Sequence, residues 1–407
     1  MALRPAARTD VNRSAILAYL GAHGPASRAD LARALTVSPA LMTALTKDLL
    51  ADGLIAELEH SPSQGGRPAR MLGLVSSAGR AIGVKVVADH VAFVEVGIDG
   101  TVRRSASEPF DADATTMLAD LTRLLRHFIA GGTESEPLLG IGVGVPGDVD
   151  NQGNGLVDSA QLGWQQVPVG AALRREFRLP VLVENNVNAL AVAERLFGVG
   201  RQHASFLVVT IGTGVGAGIV VDGVVLRGSS GGAGEIGHVP VADDGPECTC
   251  GNTGCLETFI GEAALVREAR RVGVIGAGSG IAALRAAADA GDPAATRIFS
   301  EAGHRLGRVL AGLVHVLDPE IVIVLGEGTQ AWQHWSFGFE PAFRSGLFSS
   351  RRGVPVAVET WTDESWAQGA AAIVLATPFD SEGVAGDQGR LVRERLSGHT
   401  ASTGEAP

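Results

Sequence analysis

Three cysteines and one histidine lie close together in the second half of the chain. His238 is followed by Cys248, Cys250 and Cys255, and these are all the cysteines of the 407-residue chain. A Cys3His set is the composition of a closed tetrahedral zinc site, in which the protein fills every coordination position. We therefore predict a structural Zn2+ ion with no open position for a reactive water molecule. Buried free thiols beside an ordinary histidine are the alternative.

A glycine-rich segment precedes this cluster. It reads Ile211-Gly-Thr-Gly-Val-Gly-Ala-Gly218 and lies between two segments that are predicted to be strands. Glycines at such a place let backbone amides approach a phosphate or a sugar ring closely. A tight connection between two strands gives the same residues, so this loop by itself leaves both interpretations open.

The first 80 residues differ in charge from the rest of the chain. They hold nine Lys plus Arg and six Asp plus Glu, a net charge of +3, which leaves 24 against 38, or −14, for the other 327 residues. This asymmetry is typical of a nucleic-acid-binding module joined to another domain. Helical spacing and capping residues predict helices over residues 12–20, 28–35 and 38–51, followed by strands over 54–58 and 71–74. This order of elements predicts a winged helix-turn-helix within residues 1–76.

The third of these helices is the predicted DNA-recognition helix. Its residues away from the apolar stripe would face the major groove, and two arginines of the hairpin would contact phosphate or the minor groove. The predicted DNA-contacting residues are Ser38, Pro39, Ala40, Thr43, Lys47, Arg67 and Arg70. Because small three-helix units also mediate protein contacts, a protein-binding head is the alternative.

The rest of the chain predicts an α/β domain over residues 77–378. Two successive strand meanders, each followed by helices and a buried strand, indicate two related lobes with a cleft between them. We place the lobes at residues 77–195 plus the C-terminal helix, and at 196–365. Residues 379–407 are rich in Gly, Ser and charge and are predicted to be disordered. No apolar stretch approaches the roughly 20 residues of a membrane helix, and the first ten residues lack a signal-peptide core, so we expect a cytoplasmic protein.

Four motifs together resemble the ROK family of repressors and sugar kinases. They are Gly212-Thr-Gly-Val-Gly216, Gly234-Glu-Ile-Gly-His238, the run from Cys248 to Glu257, and Val183-Glu-Asn-Asn-Val-Asn188. A winged helix that ends in Gly-Gly-Arg-Pro68 is similar to the repressor branch of the family, the group of the xylose and N-acetylglucosamine repressors. The resemblance implies a two-lobed, actin-like (ribonuclease H-like, hexokinase-type) fold with a sugar in the cleft beside the zinc site. It places the sugar ligands at Asn185, Asn186, Glu235, His238 and Glu257.

Three positions depart from the kinases of this family. Their phosphate loop, Asp-x-Gly-Gly-Thr-Lys, corresponds here to Lys85-Val-Val-Ala-Asp-His90, which has no glycine to form an open nest of amides. Their catalytic aspartate corresponds to Asn186, and an amide cannot accept the proton of the sugar hydroxyl. The loop near their nucleotide site reads Leu325-Gly-Glu-Gly328, which brings in a carboxylate. We therefore expect neither phosphoryl transfer nor ATP as a cofactor.

These inferences predict a sugar-responsive transcriptional regulator, most simply a repressor of genes for carbohydrate uptake or catabolism. Its partners would be operator DNA and a small sugar or sugar derivative. A homodimer or homotetramer is expected because winged helices usually read paired half-sites. The alternatives are an ATP-dependent hexose or N-acylhexosamine kinase and a ligand-independent DNA-binding regulator.

Overall fold

The structure is a computed structural model that describes residues 13, 16–17, 19–21, 23–58, 70–132, 136–150, 154–359, 362–377 and 386–402. The chain divides into two units, the first formed by residues 1–202 and 363–407 and the second by residues 203–362. The predicted lobe boundaries lay near residues 195 and 365. The short 3-10 turn Val199–Gln202 therefore belongs to the first unit and not to the second.

The N-terminal part of the first unit is a helical head with a three-stranded sheet. Its described helices are α1 (Arg28–Ala34) and α2 (Pro39–Ala51), and its strands, in the order β1-β3-β2, are β1 (Ala26–Ser27), β2 (Ile55–Leu58) and β3 (Met71–Leu74). Helix α2 begins where predicted because the Ser38 hydroxyl accepts a hydrogen bond from the Leu41 N–H (3.3 Å), which satisfies a free amide of the first turn. The apolar core of the head includes Ile16, Leu17, Leu20, Leu31, Met42, Leu45 and Leu49.

The main sheet of the first unit has five strands in the order β11-β7-β4-β5-β6. They are β4 (Arg80–Val86), β5 (His90–Gly97), β6 (Val102–Pro109), β7 (Leu138–Val145) and β11 (Val181–Asn185). Strands β4, β5 and β6 form an antiparallel meander, and β7 and β11 run parallel to β4. A smaller sheet holds β8 (Asp148–Val149), β9 (Val157–Ser159) and β10 (Trp164–Val167). Helix α3 (Met117–Ala130) follows β6, α4 (Val169–Phe177) follows β10, and α5 (Asn186–Leu196) follows β11.

The main sheet of the second unit repeats this arrangement. Its order is β14-β13-β12-β15-β16, with β12 (Phe206–Ile211), β13 (Val215–Val221), β14 (Val224–Val225), β15 (Ile321–Leu325) and β16 (Val356–Val358). Strands β12, β13 and β14 form an antiparallel meander, and β15 and β16 run parallel to β12. The two units therefore share one strand topology, which is the internal repetition that the sequence indicated.

The helices of the second unit follow its meander. They are α6 (Glu257–Ile260), α7 (Glu262–Arg271), α8 (Ile281–Asp289), α9 (Pro293–Leu317) and α10 (Trp332–Gly346). Every residue of β12 and β15 is buried, as are the aromatic residues Trp335, Phe339 and Phe343 of α10. Further 3-10 turns span Ser76–Ala78, Ile236–His238, Glu327–Ala331 and Ser349–Arg351. Among the described helices we find none that is both long and apolar enough to cross a bilayer.

Helix α11 (Asp363–Leu375) belongs again to the first unit and lies directly on its sheet. A Cβ on Gly83 of β4 would come within 1.9 Å of the Ala367 carbonyl oxygen, and one on Gly142 of β7 within 1.8 Å of the Ala370 carbonyl oxygen. No side chain fits at these two glycines. The small residues of both elements therefore allow the helix backbone to contact the strands.

The prediction of a disordered C-terminal tail is wrong for the part that the structure describes. Residues Gly386–Ser402 form helix α12, in which Val392 and Leu396 are buried. Arg395 Nε donates a hydrogen bond to the Leu138 carbonyl (3.0 Å) at the start of β7. Composition suggested disorder because polar residues predominate, but two apolar residues one helical turn apart share a face and can be buried together.

Candidate metal centre and ligand-binding residues

The structure brings the four predicted metal ligands together in the second unit. His238 ends the turn Ile236–His238, and the three cysteines lie on the loop that follows it. The ligand atoms of His238, Cys248, Cys250 and Cys255 all lie within 4.8 Å of one another. Three sulfur atoms and one imidazole nitrogen at these distances can bind a single tetrahedral metal ion.

The shortest distances in the cluster match the edges of such a tetrahedron. Cys250 Sγ lies 3.7 Å from Cys255 Sγ, and His238 Nδ1 lies 3.3 Å from Cys248 Sγ. Zinc bonds of about 2.3 Å to sulfur and about 2.0 Å to nitrogen give S–S edges of about 3.8 Å and N–S edges of about 3.5 Å. These two distances therefore fit a tetrahedral metal site, and every other pair of ligand atoms lies within 4.8 Å.

Backbone hydrogen bonds shape the cysteine loop. The Cys248 N–H donates to the Asn252 carbonyl (2.7 Å), and the Gly251 N–H donates to the Cys248 carbonyl (2.9 Å). Gly251 has φ +89° and Gly254 has φ +70°, a region that residues with a Cβ rarely adopt. The glycines that adjoin Cys250 and Cys255 thus permit the tight turns that direct these cysteines toward one point.

The thiols of the loop differ in proton affinity. A backbone hydrogen bond at Asn252, assisted by the neighbouring thiols and the charge of His238, lowers the pKa of Cys250 to about 7. Burial, assisted by the thiols of Cys250 and Cys248, raises the pKa of Cys255 to about 12. Because thiolates are the form that binds metal, binding at neutral pH displaces the proton of Cys255.

Glu235 lies beside the outer nitrogen of the histidine ring. His238 Nδ1 faces Cys248, whereas His238 Nε2 is 3.6 Å from Glu235 Oε2. A carboxylate next to the second nitrogen of a metal-bound histidine fixes the tautomer and orientation of the ring. The side chain of Glu235 is 42% exposed, so this carboxylate is also accessible to a ligand.

Glu257 connects the cysteine loop with the glycine-rich loop. It is the first residue of α6, and its Oε2 accepts a hydrogen bond from the Val215 N–H (2.8 Å) at the start of β13. The same oxygen would lie 3.3 Å from a Cβ on Gly237, the neighbour of His238. The structure thus groups Glu235, His238 and Glu257 around one segment. Two carboxylates and an imidazole can there form charge-assisted hydrogen bonds with vicinal hydroxyl groups.

The other two predicted sugar ligands, Asn185 and Asn186, lie in the first unit, where β11 meets α5. Asn185 is the N-cap of α5: its Oδ1 accepts from the Val187 N–H (2.8 Å) and the Asn188 N–H (3.3 Å), and its Nδ2 donates to the Gly147 carbonyl (3.0 Å). This use of the amide leaves one side-chain N–H for a ligand. Asn186 is only partly buried and is the better placed of the two for ligand contact.

The described DNA-contacting residues that were predicted on α2 are exposed. These residues are Ser38, Pro39, Ala40, Thr43 and Lys47. The Thr43 hydroxyl donates to the Pro39 carbonyl (2.8 Å), so its oxygen remains available as an acceptor. Leu41, which is 42% exposed, lies at the edge of this face and was not among the predicted residues.

Arg70 of the predicted wing forms an ion pair. Its guanidinium lies 2.5 Å from Glu57 on β2, and Glu57 also pairs with Arg28 (2.9 Å) at the start of α1. Arg28 and Arg70 together hold the pKa of the Glu57 carboxyl below its ordinary value. The side chain of Arg70 is 64% exposed, so it stays accessible beside this pair. Arg67, the other predicted wing contact, lies outside the described residues.

Charged side chains converge at the turn that corresponds to the kinase phosphate loop. Lys85 Nζ lies 2.5 Å from Asp363 Oδ1, and His90 Nε2 lies 3.1 Å from Asp363 Oδ2. His90 Nδ1 is 2.7 Å from Asp89, and the Lys85 ammonium stands 5.1 Å from the centre of the Trp366 ring. Asp363 was not predicted from the sequence, because no local pattern connects it with Lys85, which lies 278 positions earlier.

The repeated sheet topology, the His/Cys3 cluster and the adjacent carboxylates define an α/β protein of the actin-like, sugar-kinase type. The family described as the ROK family matches residues 81–377. This is well over half of the chain, which therefore belongs to the ROK family.

The curated relatives of the chain include transcriptional repressors. It is 28% identical over 316 residues to the xylose repressor of Bacillus spizizenii, and the match covers 77% of this chain and 81% of the relative. It is 28% identical over 376 residues to the DNA-binding transcriptional dual regulator NagC of Escherichia coli K12, and the match covers 89% of this chain and 92% of the relative.

Solved structures include both regulators and kinases. A ROK family transcriptional regulator, a homologue of the E. coli MLC protein, has a TM-score of 0.79 and 25% identity, and the match covers 96% of this chain and all of that chain. A ROK family glucokinase from Streptomyces griseus, in complex with glucose and AMPPNP, has a TM-score of 0.64 and 29% identity, and the match covers 72% of this chain and 99% of that chain. The regulator therefore matches a larger part of this chain than the kinase does.

Proposed function

We propose that the protein is a sugar-responsive transcriptional repressor that binds operator DNA through its head and a sugar through its ROK domain. The observation that carries this proposal is the match to a ROK transcriptional regulator over 96% of the chain, against 72% for the glucokinase. The likeness to the xylose repressor and NagC supports genes of carbohydrate uptake or catabolism as the targets.

The helices and the three-stranded sheet of the head support a winged helix-turn-helix. Helix α2 would lie in the major groove, with Thr43 and Lys47 toward the bases and phosphates. Arg70 and Arg67 would contact the phosphate backbone or the minor groove from the hairpin. The small side chains of Pro39 and Ala40 favour a close approach of the helix. Operators read in this way are usually paired half-sites, which supports a homodimer or homotetramer.

The sugar would be held by hydroxyl contacts from Glu235, His238 and Glu257 of the second unit. In the first unit, Asn186 and the remaining side-chain N–H of Asn185 stay predicted sugar contacts. The four-residue cluster would hold Zn2+, because three thiolates and an imidazole are the ligands of structural zinc. When bound, the ion would act as a rigid cross-link, or brace, between His238 and the cysteine loop. Since Glu235 lies against His238 and Glu257 follows Cys255 by two positions, the brace fixes the carboxylates that recognise the sugar.

A single helix of the first unit joins a sugar ligand to the head. Helix α5 begins at Asn186, and the residues after its end line an open cavity of about 430 Å3 together with His23 of the head. A Cβ on Gly24 of the head would lie 3.0 Å from the Arg201 guanidinium. A sugar that moves Asn186 would therefore act on the helix that leads to these residues beside the head. The sugar favours whichever state of the repressor binds it more tightly.

The proposal is tested by fluorescence anisotropy on DNA sequences selected from a random library with the purified full-length protein. Affinity is measured without sugar and with xylose, glucose, N-acetylglucosamine and their phosphates. We expect one sugar class to change the affinity at least about fivefold, the lower end of typical coupling. Lys47→Glu should weaken binding to every sequence, and Glu257→Gln should abolish only the sugar response, whereas Arg33→Ala serves as an exposed control in the head. A protein that selects no sequence, or that ignores every sugar, would refute the proposal.

The likeness to a glucokinase makes sugar phosphorylation the second candidate. Asn186 cannot act as a general base, and the turn from Lys85 to His90 is filled by an ion-pair cluster, so we expect no sugar-dependent release of ADP. Asn186→Asp should restore no turnover, because the phosphate turn remains unsuited to ATP. A coupled assay for ADP over the same sugars decides this, and clear turnover by the wild type would establish the kinase instead.

A further inference from the structure

The glycine-rich loop of the second unit lies at the edge of its sheet where ligands commonly bind. Strand β12 runs parallel to β15, and Thr210 pairs with Leu325, so the carboxyl ends of both strands lie at the same edge. Residues 212–214 and 326–328 follow these ends, and a Cβ on Gly326 would come within 2.5 Å of the Ile211 carbonyl oxygen. Ligands of α/β sheets bind outside such carboxyl ends, and loops of glycine amides there favour anions.

A carboxylate of the protein itself occupies this place. Glu327 begins the turn Glu327–Ala331, and its Oε2 lies 2.5 Å from the position that a Cβ on Gly212 would take. The Glu327 side chain is only partly exposed and lies against the glycine loop. A side chain at position 212 would therefore collide with it.

A second carboxylate stands next to the first. Glu262 is the first residue of α7, and its N–H donates to the Gly212 carbonyl (2.9 Å). Burial raises the pKa of the Glu262 carboxyl, and the negative charge of Glu327 raises it further. The smaller, electrostatic part of this effect arises because the two carboxyl groups lie close together. Two acids thus lie beside the loop whose amides would attract an anion.

We propose that Glu327 is a specificity-determining residue that excludes phosphate-bearing ligands, and nucleoside polyphosphates in particular, from the glycine loop of the second unit. A phosphate group brought to this loop would meet a fixed charge of the same sign, with Glu262 close behind it. At a separation of about 5 Å and an effective dielectric constant of about 20, one such charge lowers the affinity by roughly a factor of 300, and salt screening reduces this to about tenfold to hundredfold. The inference concerns anions alone, so it stands or falls independently of the proposed binding of DNA and sugar.

The experiment is calorimetric titration of the full-length protein with sodium pyrophosphate, with ADP and with adenosine, in buffer without divalent metal. Glu327→Ala removes the carboxylate, and Glu327→Gln keeps its shape but removes the charge. Glu262→Gln tests the second acid, and Glu301→Gln, an exposed residue of α9, is the control with the same change in net charge. Circular dichroism and metal content confirm that each variant is folded.

We expect the wild type and Glu301→Gln to bind pyrophosphate and ADP at least about tenfold more weakly than Glu327→Ala. Glu327→Gln should show most of this gain, Glu262→Gln a smaller one, and adenosine should not distinguish the variants because it carries no phosphate. Equal binding of pyrophosphate by the wild type and both Glu327 variants would overturn the proposal. A gain for Glu327→Ala that Glu327→Gln does not share would also overturn it, because the obstacle would then be the volume of the side chain and not its charge.

Discussion

Replacement of Cys250 by serine should weaken metal binding at the His/Cys3 cluster without unfolding the protein. Cys250 is exposed, and its low pKa, about 7, means that it supplies a thiolate at neutral pH more readily than Cys255 does. A serine hydroxyl at the same place stays protonated and is a poor zinc ligand. The other three donors remain, so the variant separates the contribution of one ligand from that of the loop.

The size of the effect follows from the ligand count. A structural zinc ion contributes an apparent 10–16 kcal/mol at neutral pH, which is about 3–4 kcal/mol for each of four ligands. Loss of one ligand should therefore lower the zinc affinity by roughly a factor of 10² to 10³. Most of the core of the second unit lies in β12, β15, α9 and α10, which hold none of the ligands, and only Ile236 and Leu256 of residues 235–257 belong to it. We expect loosening of residues 235–257 and a weaker sugar response, but no loss of the fold.

The assay is competition for zinc between the protein and a chromophoric chelator, followed by metal analysis and limited proteolysis. Thr253→Ser, an exposed substitution in the same loop, is the matched control and should retain one equivalent of zinc. If Cys250→Ser holds zinc as tightly as the wild type, or if the wild type binds none, the assignment of the four ligands is wrong.

Two further predictions concern the first unit. Asp363→Asn should leave the buried Lys85 ammonium without its carboxylate; a fully buried pair would cost about 3–5 kcal/mol, and because Asp363 is 43% exposed we expect about 1–2 kcal/mol. Burial raises the pKa of Asp363, but Lys85 and His90 have the larger effect and hold this pKa below its ordinary value. The wild type is therefore more stable than the variant at neutral pH, and this difference in stability disappears as the pH falls through the pKa of Asp363. Urea unfolding at pH 7 and pH 3 checks this, with exposed Glu364→Gln as control, and an undiminished difference at pH 3 would contradict it. Leu396→Ala should destabilise the protein by about 2–3 kcal/mol, since Leu396 is buried in α12, whereas exposed Arg390→Ala should change stability by less than about 0.5 kcal/mol. Equal thermal stability of the two variants would show that α12 does not pack on the sheet.

Local patterns were sufficient for several elements and for the metal ligands. Strand β15 is a buried strand of the kind predicted after the second meander, because a short run of β-branched residues and leucines has few alternatives. Helix α2 begins at Pro39 because its capping serine and first-turn proline act within one turn. The metal cluster was visible because all three cysteines fall within one loop, and ligand chemistry depends on residue type.

Other features depend on residues that are distant in sequence. Asp363 reaches Lys85 and His90 across more than 270 positions, and Glu327 reaches Gly212 only because β15 and β12 are neighbours in the sheet. Asn185 was predicted as a sugar ligand from its motif, but the structure also uses it to cap α5 and to bind Gly147.

The sequence by itself determined the chemistry that one loop or one helical turn can contain: the Cys3His donor set, the helix caps and the strand order within each meander. Tertiary structure alone decided which charges meet, which amides are already used and whether α12 is folded. The physical reason is that ion pairs, burial and close packing depend on distances in space, and these are fixed only when the sheets bring separate segments of the chain together.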